Sequence, residues 1–96
     1  MSTTTSDAAA TSDVTDTDAV IGSARERIDA LDGQILGLIR DRMAVSASIQ
    51  QARIAAGGRR VNLSREMEIL DRYREALGKP GTGLAMTLLE LCRGRA

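Results

Sequence analysis

IGSARERIDALDGQILGLIRDRMAVSASIQQARIAAGG, residues 21 to 58, carries Ile28, Leu31, Ile35, Leu38, Val45, Ile49, Ala52 and Ala56 at steps of three, four or seven. That spacing is the apolar stripe of a helix. No Pro interrupts it, Gly33 and Gly37 cost roughly 1 kcal/mol each, and Gly57-Gly58 supplies a C-terminal stop. One helix over residues 21 to 56 is predicted. At about 1.5 Å per residue it runs roughly 54 Å. A compact globule made from residues 21 to 96 has a radius of gyration of only about 11 Å. The helix outruns the domain its own chain can build, and a second copy is the simplest cover for the seam that is left.

Two shorter helices come next. Asn62 is placed to cap a helix over 63 to 77, with Met67, Leu70, Tyr73 and Leu77 inward. Gly78-Lys79-Pro80-Gly81 reads as a turn, and a third helix over 82 to 93 carries Leu84, Leu88 and Leu91. The fold class is all-α: three helices, one very long, forming an intertwined homodimer. Tyr73 is the sole aromatic residue among 96, so the core rests on aliphatic side chains, which suit helix seams better than sheets.

Residues 1 to 20 hold nine Ser or Thr and four Asp with almost nothing bulky. They read as a disordered N-terminal tail, leaving residues 21 to 96 as the single domain. The formal net charge is zero, but beyond residue 20 thirteen bases face nine acids, and twelve of the thirteen are Arg. Arg presents a planar, two-pronged donor set that matches carboxylates. Neutrality overall and the lack of stacking aromatics argue against a nucleic-acid partner. The lone Cys92 offers neither an internal disulfide nor a metal-ligand pattern. The chain shows no apolar run of membrane-spanning length and no export-type start, so the expected compartment is the cytoplasm. The absence of His removes the commonest general base, and any chemistry must proceed without it.

Arg42 and Arg53 lie eleven residues apart, which on a helix turns them to nearly the same side about 16 Å apart. Arg25 lies a further 17 residues upstream, about 25 Å away and roughly 100° around. It cannot serve the same pocket in its own chain, but in an antiparallel dimer it completes the pocket of the other protomer.

The segments Arg25-Glu26-Arg27-Ile28-Asp29-Ala30-Leu31-Asp32 and Ile35-Leu36-Gly37-Leu38-Ile39-Arg40-Asp41-Arg42, then Gln51-Ala52-Arg53 and Ser64-Arg65-Glu66-Met67-Glu68, closely resemble the AroQ class of chorismate mutases in order and spacing. The resemblance covers residues 21 to about 91 and is nearest to the small intracellular actinobacterial members, with Arg53 where other members use Lys and an Arg93-Gly94-Arg95 tail. It implies conversion of chorismate to prephenate in phenylalanine and tyrosine biosynthesis, without cofactor or metal. It also implies roles: Arg42 and the partner's Arg25 hold the two carboxylates, Arg53 faces the ether oxygen, Arg65 lines the pocket and Glu66 accepts the substrate hydroxyl. Asn62 stands where related enzymes carry an acid, so its share in binding is open beside its role as a cap. Glu66 is equally suited to the first turn of a helix by the helix dipole. The tail implies a further partner, the DAHP synthase that opens the shikimate pathway. An isochorismate pyruvate lyase of the same fold and a non-catalytic helical dimerisation module are the alternatives.

Overall fold

The computed structural model describes residues 6 to 58 and 62 to 94, with side chains from residue 16 onward. Three α-helices account for nearly all of them, in the order α1 (Ser6–Ala55), α2 (Leu63–Leu77) and α3 (Lys79–Arg93). There is no strand among the described residues. The chain divides into two units, residues 1 to 36 and 37 to 96.

The first unit is the N-terminal part of α1. It differs from the sequence expectation of a disordered tail over residues 1 to 20, because residues 6 to 20 are helical and belong to the same unbroken helix as residues 21 to 55. The tail reading rests on a lack of burial, and the described side chains from residue 16 to residue 36 are exposed. Helix formation is a local matter, however. Ala8, Ala9 and Ala10 have the highest helix propensity, and neither Gly nor Pro occurs before Gly22. Residues 1 to 5 lie outside the described residues.

The second unit contains the end of α1, then α2 and α3. α1 stops in a Schellman motif: Gly57 at φ +82° sends its N–H to the Ile54 carbonyl at 2.9 Å, and Gly58 sends its own to the Arg53 carbonyl at 2.6 Å. Two otherwise orphaned carbonyls are thereby satisfied. Asn62 caps α2 as its sequence suggests, its side chain accepting from the Arg65 N–H at 3.0 Å. The connecting residues 59 to 61 lie outside the described set.

α2 and α3 form an antiparallel hairpin around Ile69, Ala85 and Leu89, with Leu70 and Tyr73 packed against them. The expected four-residue turn is a single residue. Gly78, at φ +79°, closes α2 through its N–H to the Arg74 carbonyl and leads directly into α3, whose first turn contains Lys79, Pro80 and Gly81. Pro80 is therefore a helix-starting proline rather than a turn residue, since its fixed φ suits the first turn and its missing N–H would have no partner there. Gly81 is required by contact: a Cβ there would collide with the Tyr73 carbonyl oxygen and lie 2.9 Å from the Leu77 Cβ. Among the described residues the buried apolar side chains are Ile69, Ala85, Leu88, Leu89 and Cys92, while Leu38, Val45, Leu63, Met67, Leu77 and Met86 are more than half exposed.

Candidate active site

A cavity of about 240 Å³ lies among the three helices of the second unit. α1 contributes Arg42, Ser46, Ile49, Gln50 and Arg53 to its wall, a stripe at steps of three and four that one helix face produces. α2 and its cap add Asn62, Arg65, Glu66 and Ile69, and α3 adds Leu89 and Arg93. The volume lies somewhat below the roughly 300 to 1,000 Å³ of typical small-molecule pockets.

Five of the six residues expected at the site thus line one cavity: Arg42, Arg53, Asn62, Arg65 and Glu66. Arg25 does not. It sits in the first unit, exposed, and is not among the residues around the cavity.

Local structure explains how each side chain is held. The Schellman motif pins the Arg53 carbonyl, fixing the backbone from which that guanidinium extends. Arg65 donates to Glu68 one turn on, at 3.2 Å, both side chains more than half exposed. Such a pair contributes little and yields readily. Glu66 occupies the first turn of α2, where the helix dipole favours an anion. Its side chain is only 16% exposed and accepts two hydrogen bonds from Arg93, Nη2 to Oε1 at 2.7 Å and Nε to Oε2 at 3.3 Å. That hydrogen bonding, and then the carboxylate charge, holds the Arg93 guanidinium above its ordinary value.

Arg42 donates through Nη1 to the Cys92 sulfur at 2.8 Å. Ser46 Oγ and Gln50 Nε2 donate to the Cys92 carbonyl at 3.2 and 2.9 Å. These bonds fasten the C-terminal turn of α3 to α1. Ser46, Gln50 and Arg93 line the cavity and Cys92 bonds to Arg42, Ser46 and Gln50 on its wall; the sequence reading does not place these four in the site. Arg42, Ser46 and Gln50 do share a four-residue step, which marks Ser46 and Gln50 as pocket-facing once Arg42 is placed there.

Four arginines and one glutamate around a small cavity make a site for an anion with more than one negative group. Among the described residues no group of three or more Cys, Asp or Glu is arranged to hold a metal ion.

The sequence matches the family model of chorismate mutase type II over residues 24–90. The chain belongs to that family. Its relatives among the chorismate mutases include the intracellular chorismate mutase of Mycobacterium tuberculosis, 51% identical over 75 residues that cover 78% of this chain and 70% of that protein. The intracellular chorismate mutase of Mycolicibacterium smegmatis is 50% identical over 75 residues, covering 78% of this chain and 72% of that one. Among solved structures, the fold resembles one in a non-covalent complex of DAHP synthase and chorismate mutase from Corynebacterium glutamicum with a bound transition state analog. The TM-score there is 0.79 at 38% identity, covering 83% of this chain and 96% of that chain.

Proposed function

We propose that this chorismate mutase family member catalyses the Claisen rearrangement of chorismate to prephenate, in the supply of phenylalanine and tyrosine. The observation that carries the reading is the cavity wall: Arg42, Arg53, Arg65 and Arg93 with Glu66 as the one carboxylate, in a chain without His. The substrate is a dianion, and its rearrangement moves no proton and forms no covalent enzyme intermediate. A general base or nucleophile is unnecessary, whereas paired cations are essential.

Two demands fall on the protein. Both carboxylates must be held so that the enolpyruvyl arm lies over the ring, which converts a rare conformer into the bound one. Arg42 serves one carboxylate and Arg25 of the partner subunit the other. Charge that gathers on the ether oxygen as its bond breaks must then be met by a fixed cation. Arg53, with its backbone held by the helix-ending motif, takes that part and also binds a carboxylate. Arg65 adds positive charge, Glu66 accepts the ring hydroxyl, and Asn62 acts mainly as the α2 cap.

The protein acts as a homodimer in this reading. Ile28, Leu31 and Ile35 are each more than half exposed along one stripe of α1, an apolar seam that a second copy covers. An intracellular location is supported by the names of the mycobacterial relatives and agrees with the lack, among the described residues, of any helix long and apolar enough to cross a membrane. A non-covalent association with DAHP synthase is supported by the corynebacterial complex. Arg93 and Gly94 at the end of α3 are the proposed contact, together with Arg95, which lies outside the described residues.

The deciding experiment is the disappearance of chorismate and appearance of prephenate with purified protein, with isochorismate supplied in parallel. Turnover of isochorismate to pyruvate and salicylate, with chorismate untouched, would overturn the mutase in favour of the lyase. Titration with DAHP synthase from the same organism is expected to raise kcat/KM, and no change on saturation would remove that partner.

A further inference from the structure

Three donors on one stripe of α1 converge on a single residue of α3. Arg42, Ser46 and Gln50 succeed one another at four-residue steps, and all three bond to Cys92. The bonds differ in kind. Ser46 and Gln50 reach the main-chain carbonyl, one of the last four of α3, which lack partners inside the helix. Any residue at this position would supply that acceptor. The sulfur that receives Arg42 Nη1 is the side chain's own.

A thiol sulfur is a weak acceptor, and a guanidinium has five N–H groups. The contact therefore engages one prong of Arg42 and leaves the others for a ligand in the cavity that Arg42 lines. Cys92 is 6% exposed, so water does not contend for the same prong. Carboxylate acceptors form bonds roughly twice as strong as neutral ones, so a ligand carboxylate displaces or shares this prong at little cost. An acidic side chain in the same place would keep it.

We propose that Cys92 is a positioning residue for the site: its sulfur sets the direction of the Arg42 guanidinium toward the cavity while remaining weak enough to yield to a substrate carboxylate. The inference rests on the dianion reading of the cavity. Without any acceptor at residue 92, the ligand must order the guanidinium on arrival and binding weakens. With too strong an acceptor, the protein competes with its own substrate.

The test compares the full-length wild type with Cys92→Ser, Cys92→Ala and Cys92→Asp, measuring KM and kcat for chorismate together with Tm. Cys92→Ala is expected to raise KM about two- to tenfold, the span of one neutral hydrogen bond, with kcat changed less than KM. Cys92→Ser keeps a neutral acceptor, far weaker than a carboxylate, and is expected to recover most of that loss. Cys92→Asp is expected to raise KM beyond the Ala variant despite restoring an acceptor. If Cys92→Asp does not fold, the Ala and Ser pair decides alone. An unchanged KM in Cys92→Ala, or a Ser variant no better than Ala, overturns the positioning role while wild-type turnover keeps the family reaction intact. A wild-type chain that leaves chorismate unconverted overturns the proposed function, and the positioning role with it.

Discussion

Arg93 and Glu66 stand 27 residues apart in the chain and meet through two hydrogen bonds, the shorter 2.7 Å. The pair links the last turn of α3 to the first turn of α2. It also stands between two hollows, because Glu66, Leu89 and Arg93 line both the α1-facing cavity and a second one beside Leu70, Met86 and Thr87. Movement of Arg93 therefore changes the direction of the carboxylate proposed to read the substrate hydroxyl.

The contribution of this pair to stability should not vary with alkaline pH in the working range. Glu66 raises the Arg93 value, so the stabilisation is present in full at neutral pH and is lost only as pH climbs past that raised value, well above neutrality. The Tm difference between wild type and Arg93→Ala is expected to stay level from about pH 6 to 9 and to shrink with added salt, since Arg93 is exposed. A difference that collapses on the alkaline side of this window would contradict the assignment.

Arg53→Ala should lower kcat more than it raises KM, because contact with the ether oxygen strengthens as negative charge gathers there. One charge-assisted hydrogen bond corresponds to about 10- to 150-fold in rate, and Arg53→Lys should lose less. Steady-state kinetics with chorismate checks both. An unchanged kcat with a raised KM would reduce Arg53 to a carboxylate clamp.

Mixing Arg25→Ala with Arg42→Ala chains should restore activity that neither variant has alone. Each mixed dimer then contains one pocket free of both substitutions, provided that Arg25 acts across the subunit boundary. Mass spectrometry of differently tagged chains establishes exchange. Proven mixed dimers without recovered turnover would place Arg25 outside the shared site.

Gly81→Ala should destabilise the protein by about 1 to 3 kcal/mol through overpacking against the Tyr73 carbonyl. Gly83→Ala, two residues along the same helix with nothing within 4 Å of its Cβ, should instead be neutral or stabilise by up to about 1 kcal/mol. Urea unfolding of the two variants separates these outcomes. Equal effects would show that helix propensity alone governs this turn.

Deletion of residues 1 to 18 should leave kcat/KM and Tm nearly unchanged. The deletion removes the first turns of α1, and the described side chains from residue 16 to residue 36 are exposed. A large fall in either quantity would mean that the segment packs in the assembled protein.

The seam of α1 was legible because apolar spacing reports one face of a helix wherever it continues, and the paired glycines marked its end to within a residue of Ala55. Its beginning was not, since lack of a burial face says nothing against a helix that Ala8 to Ala10 favour locally. Pro80 misled in the same way: proline breaks the interior of a helix but suits its first turn, and only the packing of Gly81 on Tyr73 decides between a turn and a start. Family spacing marks Arg42, Arg53, Arg65 and Glu66, and these four line one cavity. The Arg42–Cys92 and Glu66–Arg93 contacts bridge 50 and 27 residues, and no local pattern encodes such pairings.

Gly78 joins α2 to α3 as a one-residue hinge, and this has a kinetic consequence. Closing so short a connection costs little chain entropy, and contacts near in sequence form early. The hairpin is therefore an intramolecular event that each chain completes at a rate independent of protein concentration. In the proposed homodimer, pairing of long helices between chains is bimolecular and slows on dilution. Refolding at low concentration should thus separate into a fast phase that restores the Ile69–Leu89 packing and a slower phase that restores activity.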